Sequence, residues 1–108
     1  MKDWHPEEMS SRFLAVAEQS EHRLQELRAK LHTSTVYEHE FDEVLADLFV
    51  YNYLHGRTYL ETRAAFCAEL QRMLSDIPHP FEGNQERFEG HYRVTVNRLR
   101  EAYCEASE

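Results

Sequence analysis

In four stretches of this chain, apolar residues return at alternating steps of three and four, and little interrupts the runs. That period is the stripe of an amphipathic α-helix; a half-buried strand would alternate every second residue. Only three Gly and three Pro occur in 108 residues. A β-sandwich needs turn residues about every 8–12 positions, so this scarcity argues against one.

The first stretch runs from about Pro6 to His32, with Met9, Phe13, Val16, Ser20, Leu24, Leu27 and Leu31 on one face. Pro6, Glu7 and Glu8 suit a first turn, where a missing donor is harmless and negative charge meets the helix dipole. The second opens at Thr35, because Thr35 and Glu38 have capping-box spacing. Tyr37, Phe41, Val44, Leu48 and Tyr51 form its core stripe, and Gly56 supplies the left-handed residue that ends it. Thr58 and Glu61 repeat the box and open a third helix to about Ser75, striped by Leu60, Ala64, Cys67, Leu70 and Leu74, with Phe66 and Met73 beside them. The run Asp76-Ile77-Pro78-His79-Pro80 stops it, since each proline disfavours helix in the residue before it. The fourth helix spans about Asn84 to Glu105, with Phe88, Tyr92, Val96, Leu99 and Tyr103 inward, or starts as early as Pro80, since Phe81 lies one heptad before Phe88. Phe-Glu-Gly occurs at 81–83 and at 88–90. Its glycines read as a loop and a helix start, with a close helix crossing over Gly90 as the sharper reading.

Four amphipathic segments with short connections predict an all-α fold, a compact antiparallel bundle of about four helices. A chain of this length has room for a single helical domain over residues 1–108 and one core.

Charge narrows the partners. The net charge is −8 and no basic run exists. That excludes direct nucleic-acid binding through counterion release, and an anionic membrane surface repels such a chain. No apolar run approaches the 18 or so residues of a membrane span. Cys67 and Cys104 lie in separate helical patterns without CxxC spacing, and no apolar leader begins the sequence. Free thiols in a reducing cytoplasm are therefore expected.

Most of the excess charge sits in residues 33–56, which hold five carboxylates and no Lys or Arg. The same helix is apolar on two sides. At roughly 100° per residue, Ala46, Val50 and Tyr53 fall opposite the Tyr37–Tyr51 stripe, flanked by Phe49 and Leu54. Such a helix is either the centre of its own bundle or the seat of another chain.

Catalytic and metal chemistry find little purchase. The residues three before each helical histidine are Gln19, Ala29, Val36, Asn52 and Phe88, so the Glu-x-x-His pairs of a di-iron bundle are missing. His22 with Glu18 or Glu26, and His39 with Asp42 or Glu43, read as surface pairs. The turn at His55 and Arg57, beside the amides that open the third helix, could hold a phosphate or carboxylate. Cys67 falls on a core stripe, where a thiol is inert.

The sequence thus predicts a non-enzymatic protein-binding module without a cofactor: a regulator, an inhibitor, immunity or antitoxin-like protein, or a small assembly subunit. Ala46, Val50, Tyr53 and Leu54 would make its apolar contact. Glu40, Asp42, Glu43 and Asp47 would orient a basic protein partner. A homo-oligomer through the same helix is the companion expectation. The alternative is a helical metal- or small-ligand-binding protein, or an enzyme, using His39 with Asp42 and Glu43, or the His55–Arg57 turn.

Overall fold

Helices α1 (Pro6–Leu31), α2 (Glu38–Leu54), α3 (Arg63–Ser75) and α4 (Gln85–Arg100) follow one another in the computed structural model, which describes residues 4–31, 38–57 and 61–105. A π-helical turn, Glu101–Glu105, continues α4. No strand occurs among the described residues.

The helices form an up-down-up-down bundle. Gly56, just after α2, donates its N–H to Ser10 Oγ near the start of α1, while Arg23 pairs with Glu40 toward the opposite ends, so α1 and α2 run antiparallel. Asp42 meets Arg87, and Asp47 meets Thr95 two turns on, so α2 and α4 run the same way. Cys67 near the start of α3 joins Cys104 beyond α4, which sets those two antiparallel.

Local chemistry explains most boundaries. Pro6 opens α1, Glu7 and Glu8 lie in its first turn, and Arg28 and Lys30 in its last. Asn84 caps α4, its side chain accepting the Arg87 N–H at 3.0 Å. The third helix starts later than its capping-box spacing implies. Thr62 is the cap, accepting the Ala65 N–H at 3.0 Å, and α3 begins at Arg63. Thr58, like Thr35, lies outside the described residues. Gly90 sits inside α4 with no atom near the place of a Cβ, so no helix crosses closely there.

Helix α2 is the centre of the bundle. Phe41, Leu45, Ala46, Val50 and Leu54 are buried, whereas Val44, Leu48 and Tyr51 of the expected core stripe are half-buried. Periodicity found both apolar faces and gave the deeper one to the wrong side. On α4 the expected stripe holds: Phe88, Tyr92, Val96 and Leu99 are buried. One end of the core is aromatic. The Phe66 ring stacks on Phe13 at 5.8 Å and meets Trp4 at 5.2 Å and the edge of Tyr103 at 5.6 Å. Offset and edge-on aromatic pairs of this kind add to plain area burial.

The expectation of free thiols does not hold. Cys67 and Cys104 form a disulfide across 37 residues of sequence, with Cα atoms 5.9 Å apart. Cys67 itself, half-buried, faces the π-helical turn, a contact that helical period alone does not encode. Among the described residues, no helix is long and apolar enough to cross a membrane.

Candidate functional site

The eight residues predicted to meet a partner take three different places. Ala46, Val50 and Leu54 are each 0% exposed, inside the chain's own core. They offer no surface in this fold, and the apolar patch expected on α2 is the interior of the bundle. Tyr53 is half-buried and engaged. Its hydroxyl donates to the Glu69 carboxylate and accepts from Arg72, and the Arg57 guanidinium lies 3.7 Å from its ring centroid. Arg57 also donates its Nε to the Tyr53 carbonyl, so the His55–Arg57 turn closes on itself.

Three of the four acidic residues are likewise used within the chain, while Glu43 stays exposed on α2. Glu40 pairs with Arg23 of α1, and Glu38 lies 3.6 Å from Arg87 of α4. Asp42 is 1% exposed; it accepts the Arg87 Nε at 2.8 Å and the Asn84 backbone N–H at 2.9 Å. Asp47 accepts the Thr95 hydroxyl at 2.7 Å. Burial pushes the Asp47 carboxyl above the usual carboxylate range, with the Thr95 hydrogen bond opposing and Glu43 adding to the rise. A central helix explains the absence of Lys and Arg from residues 33–56. Its counter-charges sit on the helices either side, where counting by segment does not find them.

His39, Asp42 and Glu43 do not converge. Asp42 turns toward Arg87, while the His39 ring meets His91 of α4 edge-on, 4.7 Å between centroids. Among the described residues, no group of three or more His, Cys, Asp or Glu is arranged to hold a metal.

The surface that stands out lies elsewhere. At 13 residues α3 is half as long as the 26-residue α1. Beyond Ser75, the groove between α1 and α2 is covered by the irregular segment 76–84 instead of by helix. Beneath it is an open groove of about 400 Å³, lined by Leu24 and Arg28 of α1, Leu45, Leu48 and Phe49 of α2, and His79 to Glu82. Phe81 stands at its rim, 107% exposed, the most exposed large apolar side chain among the described residues.

Phe81 is presented on a segment held at both flanks. Glu82 takes a two-pronged contact from Arg28, with Nε at 3.0 Å and Nη2 at 2.8 and 2.9 Å. Gly83 has φ +84°, and a Cβ there would run into the Asp42 carboxylate, so only glycine lets the chain pass between Phe81 and the Asn84 cap. The Gln85 amide donates to the Pro78 carbonyl at 3.2 Å, tying the near side of the segment as well. These ties fix the backbone on either side of Phe81, whose ring is wholly exposed. Helical period sets Phe81 one heptad before Phe88, as an early start of the fourth helix, but that helix begins at Gln85 and Phe81 lies on the connection before it. The available signal was its position, an aromatic between Pro80 and Gly83 in the longest connection.

No family model, curated protein or solved structure matches this chain.

Proposed function

We propose that this chain is a non-enzymatic protein-binding module that engages its partner through Phe81 and the groove beside it. The observation that carries the reading is the pairing of a wholly exposed aromatic with a segment tied at Pro78 before it and at Glu82 after it. An exposed phenylalanine gains nothing for the monomer; buried in a partner it is the kind of anchor that dominates interface energy. Leu48 and Phe49, half-buried along the groove, extend the apolar contact, and Arg28 and Glu82 form a polar rim.

This reading keeps the binding class expected from sequence and moves the surface from α2 to segment 76–84. The acidic set gives a basic partner little to hold, since Glu40, Asp42 and Asp47 are taken up inside the chain and of the four only Glu43 is left exposed. A disulfide persists in oxidising compartments and is rare where glutathione keeps thiols reduced. The Cys67–Cys104 bond therefore favours an oxidising compartment over the cytoplasm.

A photo-crosslinking phenylalanine analogue at position 81, introduced in the native cell, tests the reading. The expected result is one discrete adduct, absent when the analogue replaces exposed Arg93 on α4. No adduct at position 81, or equal smears from both positions, overturns it.

A further inference from the structure

We infer that the occupant of this groove is a second copy of the chain, each Phe81 entering the groove of the other. The inference rests on the reading of the Phe81 face as a docking surface and names its partner. A two-fold interface presents the same patch twice, so a knob and the hole that takes it must lie side by side on one surface. Here they do: Phe81 stands on the rim of the groove that Leu24, Leu45, Leu48 and Phe49 line. An apolar cavity of roughly 150 Å³ already takes up benzene, so a groove of about 400 Å³ has room for a phenyl ring.

Charge points the same way. The chain carries −8 overall, which sets two copies against each other wherever acidic faces meet. The Phe81 face is locally balanced, with one guanidinium, Arg28, and one carboxylate, Glu82, at the groove. Turned about a two-fold axis, the Arg28–Glu82 pair of one copy faces that of the other in reverse order, and the rim is complementary to itself. A basic partner would find no uncompensated carboxylate there.

Sedimentation equilibrium of the purified full chain, across micromolar concentrations, tests this. The wild type is expected to show a species of twice 12.9 kDa. Phe81→Ser should leave the circular dichroism unchanged, because the ring is wholly exposed in the monomer, and weaken dimerisation at least about thirtyfold. Added salt should hold or tighten the dimer, since the net charges repel; a contact led by attraction to a basic partner weakens with salt.

A mixing experiment isolates the contact between copies. Arg28→Glu and Glu82→Arg each put two like charges on the rim and should each be monomeric. Their equimolar mixture should dimerise, because each chain then supplies what the other lacks. The mixture cannot restore the Arg28–Glu82 pair within either chain, so recovery reports the contact between copies alone. A wild type that stays monomeric throughout, or a Phe81→Ser chain that dimerises as tightly as wild type, overturns the inference. The position-81 adduct separates the two readings. A mass of two copies upholds both; a different protein upholds the docking face and overturns self-docking; no adduct overturns both.

Discussion

Asp42, buried on α2, accepts the backbone N–H of Asn84 at 2.9 Å and so fixes the residue that caps α4. Its other oxygen takes the Arg87 Nε at 2.8 Å. One carboxylate thus joins the central helix to the end of segment 76–84, where Phe81 is displayed. Asp42→Ala would leave the Asn84 donor and the Arg87 charge without it, at a cost of about 3 kcal/mol. Asp42→Asn keeps an acceptor for Asn84 and should lose less. Urea unfolding of both variants measures this. Equal losses would mean that charge, and not the tie to Asn84, is what counts.

Two glycines should respond with opposite sign. Gly83→Ala puts a methyl group against the Asp42 carboxylate at φ +84° and should destabilise by more than about 1 kcal/mol. Gly90→Ala lies in mid-helix with open space around it and should stabilise by about 0.5–1 kcal/mol. Thermal melts of the two variants settle both signs at once.

Much of the fold was legible from local signals and little of the site was. The boundaries of α1 and α4 follow from Pro6, the acidic first turn and the Asn84 cap, each acting within a few residues. The stripe on α4 was readable because one face alone is apolar. Helix α2 is apolar on two faces, so period could not say which lies deeper; that depends on where α3 and α4 come to rest. The disulfide and the Arg28–Glu82 clamp join residues 37 and 54 positions apart. Phe81 gains meaning only once the short α3 leaves the α1–α2 groove to the irregular segment 76–84.

The central place of α2 has a direct consequence. Leu54 is wholly buried, so Leu54→Ala should cost about 2–5 kcal/mol, the spread depending on how far the cavity collapses. Val50→Asp places a charge in the same interior and should leave no folded monomer, where a surface role would leave the fold intact. Denaturant curves with circular dichroism distinguish the outcomes, and a folded, monomeric Val50→Asp protein would contradict this placement.

Reducing the disulfide should loosen one end of the bundle. The Cys67–Cys104 bond closes 37 residues of sequence, and the loop-entropy model gives about 3–4 kcal/mol for a loop of that size. Without it, the π-helical turn is held to α3 by Tyr103 packing on Phe66 and Trp4. Calorimetry with and without reductant should show a lower melting temperature in the reduced protein. Hydrogen exchange should quicken first in residues 101–105 and at the start of α3. Identical melts would show that the aromatic cluster alone holds this end.

The Asp47 carboxyl gives stability a slope with pH. Burial raises it above its ordinary 3.8, so the folded chain holds this proton more tightly than the unfolded chain does. Between the unfolded and the raised folded values the native state binds more protons, and stability falls as pH rises. The contribution is therefore fully present below about pH 3.8 and is lost as pH climbs through the raised value. Asp47→Asn keeps an oxygen for the Thr95 hydroxyl and removes the charge that burial penalises. The variant should be more stable than wild type at neutral pH, with the difference shrinking toward zero as the pH falls below that of the free carboxyl. Denaturant midpoints for both proteins across the acid range provide the measurement. A difference that grows on acidification would mean that ionised Asp47 stabilises the fold.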